Sequence, residues 1–233
     1  MKKSLLLAFI FFTYNASAQD RTELIKHFEN YYQQMKTQGD AQGIINGLTH
    51  LNLLSPSEAR ADTLAYVYMR ESKFIQALNT IGTESSESDS NLGLEVKAFS
   101  LKAINQPALA IIHFEEMFKR SPNVDIAYEL AELHMSLNNL PEANKHIDFG
   151  LMNATNDQKK AFFETQQPYE VSLKSAFLYL KGLVTFNENK SENIDAAITI
   201  FDEALVLEPN FNLAKISKAA LVSQKNQKTN SED

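Results

Sequence analysis

Five histidines, His27, His50, His113, His134 and His146, are the residues of this chain best suited to moving protons or holding a metal ion. An imidazole titrates nearest neutral pH and offers a ring nitrogen as a ligand. His146 has a carboxylate at favourable helical spacing. Glu142 stands four residues before it, which puts the two on one helix face. Glu132 and His134, two apart, do not face each other. A di-iron bundle would need two Glu-x-x-His pairs and further glutamates, and that pattern is missing. A His-Glu-x-x-His zinc motif, a Gly-x-Ser-x-Gly nucleophile elbow and a phosphate-cradling glycine loop are missing as well. The chain has no cysteine, which removes thiol catalysis, thiolate metal sites and disulfides. Glu115, Glu116 and Glu203 supply carboxylates, but they sit among apolar neighbours on amphipathic helices, where solvated faces are expected. The sequence thus reads as non-enzymatic, with no cofactor, no catalytic residues and no metal ligands. The competing reading is a helical enzyme or metal protein built around His113, His134 and His146.

The elements that carry these residues are helices. Glycine and proline are few, at seven and six, and apolar residues recur at intervals of three and four. In "RTELIKHFENYYQQM", Leu24, Phe28, Tyr31, Tyr32 and Met35 share one side. "IAYELAELHMSL" and "PEANKHIDFGLM" form a pair broken near Asn138-Asn139, and "DTLAYVYMRESKFIQAL" breaks near Ser72. Short helices joined by short polar turns predict an all-α protein.

The helices repeat. Ile44, Ala77, Ala110 and Ala143 follow one another at one unvarying interval of about 33 residues, a length typical of helical repeats. Four residues after each stands a large apolar side chain, Leu48, Ile81, Phe114 and Ile147. Ala65, Ala98 and Ala131 lie twelve residues before the last three anchors. A small residue on both helices lets them approach, and the large one fills the space beside them. The register then slips by more than one repeat length and resumes at Ala197, Phe201, Ala204 and Pro209. This divides the chain into units at about 22–56, 57–90, 91–123, 124–154 and 171–209, an insertion at 155–170, a capping helix at 211–222 and a flexible tail at 223–233. In the insertion, Asn156 would cap a short helix carrying Phe162 and Phe163, and Pro168 would start the helix that follows. "GTESSESDSN", residues 82–91, reads as a solvated turn between repeats.

These positions resemble the tetratricopeptide repeat, a helix-turn-helix unit of about 34 residues. Leu64-Ala65, Tyr68, Phe74, Ala77 and Ile81 match it in one unit, and Ala98, Leu101, Ala110, Phe114 and Pro122 in the next. Leu130-Ala131, His134, Leu140, Ala143 and Ile147 match in a third, and Gly182, Ala197, Phe201, Ala204 and Pro209 in a fourth. There are departures. The early tryptophan position is never Trp, Lys97 stands where the family has leucine, and residues near Asn187–Asn193 lengthen the last inter-helix loop. The resemblance implies an α-solenoid of antiparallel helix pairs wound as a right-handed superhelix. It also implies a non-catalytic protein- or peptide-binding scaffold whose groove is lined by the first helix of each repeat. Carried over position by position, the groove residues are Asp62, Tyr66, Met69, Arg70, Glu95, Phe99, Lys102, Tyr128, Glu132, Met135, Tyr179 and Phe186. Glu95 and Glu132 stand where the family's carboxylate clamp has neutral or basic groups. That disfavours an acidic peptide end and leaves apolar or cationic segments as partners. The alternative role is a structural or assembly subunit, using an exposed apolar face on the final helix, Phe211 to Val222.

The first residues, "MKKSLLLAFIFFTYNASAQD", combine Lys2 and Lys3, an apolar run and the small residues Ala16-Ser17-Ala18. They read as a bacterial signal peptide, 1–18, with Gln19 as the new N-terminus. The run is too short for a spanning helix, which needs about 20 apolar residues. The expectation is an exported protein, periplasmic or secreted, with no lipid-bearing cysteine and no integral membrane segment after cleavage. Without Lys2 and Lys3 the chain has 20 basic and 29 acidic residues, a formal charge of −9. That disfavours nucleic acid as a partner.

Overall fold

In this computed structural model the backbone is described for residues 2–155 and 157–232, and the side chains for residues 20–155 and 157–227. Eleven helices and one two-stranded hairpin make up the described residues. They are α1 (Lys2–Gln38), α2 (Ala41–Leu54), α3 (Glu58–Arg70), α4 (Phe74–Ile81), α5 (Asn91–Ala103), α6 (Pro107–Arg120), α7 (Val124–Ser136) and α8 (Leu140–Asn153). Strands β1 (Lys159–Phe162) and β2 (Tyr169–Ser172) follow, then α9 (Leu173–Glu188), α10 (Ile194–Leu207) and α11 (Asn212–Glu232). The fold is an all-α solenoid. It divides into two compact units, residues 1–113 and 114–233. The side chains of the leader-like segment lie outside the described residues.

The turns within the first four helical hairpins share one geometry. Gly39, Ser72, Asn105 and Asn138 all have left-handed backbones, with φ between 57° and 69°. They are equally spaced along the chain, in step with the apolar register. Each lies just beyond a helix end, and the next N–H reaches back to the last turn: Lys73 to the Tyr68 carbonyl, Gln106 to Leu101, Asn139 to His134. This is a Schellman cap, which satisfies carbonyls that the helix end would leave unpaired. Glycine adopts the left-handed region freely and asparagine with little cost, whereas serine is poorly suited to it.

The small residues do what their spacing predicts. Ala65, Ala77, Ala98, Ala110, Ala131 and Ala143 have no exposed surface, and neither have Phe114 and Ile147. In the second unit, Ala131, Ala143, Phe177 and Phe211 belong to one core. Gly150 packs on the ring of Phe177 so closely that a Cβ there would lie 2.1 Å from it.

The insertion is a β-hairpin, not the short helix expected from its sequence. Lys159 pairs with Ser172 and Phe162 with Tyr169 in an antiparallel register. Alternation sends Val171 into the core, stacks Phe162 on Tyr169 at 5.8 Å, and leaves Phe163 exposed. Short runs such as "KKAFF" have no period long enough to separate helix from strand. The choice is made by distant contacts. Phe162 packs on Phe211 at 5.0 Å, and Glu208 accepts hydrogen bonds from the Ser172 N–H and from Lys159. Pro168 precedes β2, and Ser172, not Pro168, caps α9 by accepting from the Ser175 N–H. The Asn156 cap lies outside the described residues. The helix α11 continues through the segment read as a flexible tail. Its apolar face is divided, with Ala214 and Leu221 buried, as is Phe211 just before it, and Ile216 and Val222 exposed.

The loop read as a solvated turn is anchored at two points. Lys97, 3% exposed, donates to both carboxylate oxygens of Asp89, at 2.7 and 2.8 Å, and to the Glu84 carbonyl. This explains a lysine where leucine was expected: its stem fills the core position and its ammonium holds the loop. His113 Nε2, from α6, meets the Thr83 carbonyl at 2.9 Å. Burial disfavours the charged imidazole and holds His113 below its ordinary titration range, although the Thr83 bond works the other way. Burial pushes Asp89 up, but the hydrogen bonds from Lys97 and the Ser86 N–H outweigh it, and it titrates below the usual carboxylate range.

Two outcomes are expected. Ser72→Gly removes the left-handed penalty, partly offset by a gain in unfolded-chain entropy, and should raise unfolding free energy by about 0.5–1 kcal/mol in urea titrations. Asn138→Gly should change it less. Stability should also depend on pH. A histidine whose folded pKa is lowered stabilises the fold fully above its unfolded value of about 6.5, and this is lost as pH falls through the folded value. Asp89 adds a second loss below about pH 4. The urea midpoint should therefore fall between about pH 7.5 and 5, and His113→Gln should flatten part of that fall.

Candidate functional site

The twelve groove candidates do not share one environment. In the first unit, α3 and α5 pack side by side. On α3, Arg70 is exposed, and Asp62, Tyr66 and Met69 are half-buried. Tyr66 and Met69 rest on the core formed by Ala65, Ala77 and Val96. Asp62 accepts a hydrogen bond from Ser90 at 2.6 Å. On α5, Phe99 is 36% exposed, and Glu95 and Lys102 are half-buried on either side of it in sequence. In the second unit, Glu132, Met135, Tyr179 and Phe186 are half-buried, the last three packed against core residues. Tyr128 is a correction. At 1% exposure it is a core residue, edge-on to Phe177 at 5.4 Å, with the Lys160 ammonium 4.3 Å from its ring centre. The register that makes Ala127 and Ala131 core residues carries Tyr128 inward with them.

A second constellation lies wholly in the second unit. Glu115 on α6, His134 on α7 and His146 on α8 bring their ligand atoms to within 4.8 Å of one another. Glu115 Oε1 stands 3.0 Å from His146 Nε2 and 3.3 Å from His134 Nε2. The two imidazoles lie parallel, with ring centres 5.6 Å apart. Glu115 follows the buried Phe114 and His146 precedes the buried Ile147, so the packing seam between helices also fixes the polar pair. His134 sits where α7 ends, its carbonyl closing the turn at Asn139. His146 is 1% exposed, while the Glu115 side chain is 39% exposed and opens the cluster to solvent.

The protonation pattern follows from these contacts. Burial holds His146 below its ordinary range, only partly offset by the Glu115 hydrogen bond. It is neutral at neutral pH and donates Nε2–H to Glu115. Asn139 Nδ2 lies 3.4 Å from His134 Nδ1. An ionised carboxylate can only accept, so the His134 Nε2 that faces Glu115 carries a proton as well. Glu115 Oε1 thus receives both imidazole N–H groups. Phe118 meets His146 edge-on at 5.2 Å and packs against Phe149 in the same way at 4.9 Å.

Sequence reasoning reached part of this cluster. Of His113, His134 and His146, the last two meet, and His113 instead serves the Thr83 carbonyl. His113 is buried, and Glu115 comes from 31 positions away to occupy the place expected for Glu142. Glu142 instead pairs with Lys145 at 3.0 Å. Glu116 turns to Lys119 and Arg120. One signal was present. His113 and His146 each stand three residues after an anchor alanine, Ala110 or Ala143, so they occupy the same seat in consecutive repeats.

No family model matches the sequence, and no curated protein matches it. The fold has counterparts among solved structures. YrrB, described as a TPR protein with an unusual peptide-binding site, superposes with a TM-score of 0.64 at 14% identity, over 88% of this chain and 97% of that one. The MamA protein superposes at 0.59 and 15% identity, over 81% of this chain and 93% of that one. The Cut9–Hcn1 hetero-tetramer of APC/C contains a chain that matches at 0.51 and 15% identity, over 89% of this chain and 41% of that one. The helix pairs, their constant register and these superpositions agree, and the chain has the tetratricopeptide-repeat fold.

Proposed function

We propose that this protein is a non-catalytic scaffold that binds a protein or peptide segment on the surface formed by α3 and α5. The observation that carries this reading is Phe99. It is a large aromatic left more than a third exposed on a first helix of the repeat, beside a helix that presents Tyr66 and Met69. Aromatic and methionine side chains with a charged surround are the composition of recognition surfaces. Glu95 lies one turn before Phe99, and together with the formal charge of −9 of the chain without its leader it favours an apolar segment with basic flanks. The peptide-binding site ascribed to YrrB supports the same class of activity on the same fold.

The leader-like first residues support export to the bacterial periplasm or beyond. Expressed in a Gram-negative host, the protein should be recovered from the envelope or medium with Gln19 at its N-terminus by mass spectrometry. An intact Met1 on protein retained in the cytoplasm would remove this part of the proposal.

For recognition itself, an array of apolar peptides with basic or acidic flanks, read by fluorescence anisotropy, should favour the basic set. The Tyr66→Ala/Phe99→Ser double variant should keep its helical circular dichroism and lose about tenfold or more in affinity. Unchanged affinity in that variant would show that the surface lies elsewhere.

A further inference from the structure

We propose that Glu115, His134 and His146 form a binding site for one borderline divalent cation of the Zn²⁺ class. Three observations carry it. The first is spacing. A tetrahedral zinc ion with bonds of about 2.0–2.2 Å holds its ligand atoms about 3.3–3.5 Å apart. Glu115 Oε1 already stands 3.0 and 3.3 Å from the two Nε2 atoms. The second is the donor set. Two imidazole nitrogens and one carboxylate oxygen suit zinc, cobalt or nickel, whereas magnesium and calcium take oxygen ligands. The third is the cost of the arrangement to the fold. His146 is buried, and its Nδ1 has no hydrogen-bond partner among the described residues. A buried unpaired nitrogen destabilises, and a leucine would fill that space without it.

The site has an entrance. The partly exposed Glu115 leaves one side open, so solvent or a partner group completes the coordination. Binding displaces the two Nε2 protons, each imidazole then carrying its proton on Nδ1. At His134 the Asn139 amide turns over to present its oxygen to that N–H. At His146 the edge of Phe118, and not a hydrogen bond, holds the ring. Missing bracing of that kind weakens metal affinity by about 10–100-fold, so one cation should bind reversibly and not as a permanent structural ion.

The test uses the full chain after removal of metal with a chelator. Calorimetric titration should show one equivalent of Zn²⁺, and Co²⁺ should give the visible bands of a low-symmetry nitrogen–oxygen site. Mg²⁺ and Ca²⁺ should give neither. Glu115→Ala, at a partly exposed position, should keep its helical circular dichroism and lose about 100-fold in Zn²⁺ affinity. His134→Gln should do the same, and a His27→Gln/His50→Gln control should bind as the parent does. Absence of a stoichiometric Zn²⁺ equivalent in the parent chain would overturn the proposal. So would unchanged affinity in Glu115→Ala.

Discussion

The close approach of paired helices at buried alanines is the constraint on which the rest depends. Where Ala65 meets Ala77, and Ala131 meets Ala143, no side chain separates the backbones beyond a methyl group. That proximity fixes which residues lie on the seam. The large side chain one turn later, Phe114 or Ile147, then has a single space to fill, and it is fully buried there. The left-handed turns at Ser72, Asn105 and Asn138 serve the same constraint. They close each hairpin in a fixed number of residues, so the small positions arrive opposite one another. A turn one residue longer would rotate the second helix by about 100° and bring different side chains to the seam.

The same register places a buried histidine in one seat of two consecutive repeats, and neighbouring residues decide what it does. His113 and His146 occupy it in consecutive units. For His113, the residues one repeat earlier than Glu115 and His134 are Gly82 and Leu101, which offer no side-chain ligand atoms, and the imidazole holds a loop carbonyl. For His146, the carboxylate and the second imidazole are present, and three ligand atoms converge. A structural position and a chemically competent one thus differ by two neighbouring side chains within the same repeat geometry. The departures from the repeat pattern have similar physical accounts. Lys97, in a leucine position, keeps the apolar stem that the core needs and adds an anchor for the preceding loop.

Most of the architecture was legible because it is written in local period and small-residue spacing. The helix pairs, the positions of the buried alanines and the turn near Ser72 all follow from patterns no longer than a single repeat. The insertion was not legible. "KKAFF" and "PYEVS" are compatible with either helix or strand, and their pairing depends on Phe211 and Glu208, which lie beyond two further helices along the chain. Tyr128 was misplaced for a related reason. A position that faces outward on an average repeat faces the core here, because Lys160, from the insertion, and Phe177, from the helix after it, cover it.

By itself, the sequence determined that the chain is helical, repetitive, without thiol chemistry, and built on alanine contacts. Periodicity is a property of the chain, and it needs no knowledge of what lies opposite. The tertiary structure alone decided which side chains meet. Glu142 is the better partner for His146 by spacing along one helix, yet it turns to Lys145. Glu115, on a different helix, takes its place. The reason is geometric. Neighbours on a helix surface share a face with solvent, whereas groups brought together across a packed seam are held at fixed distances by the core beneath them.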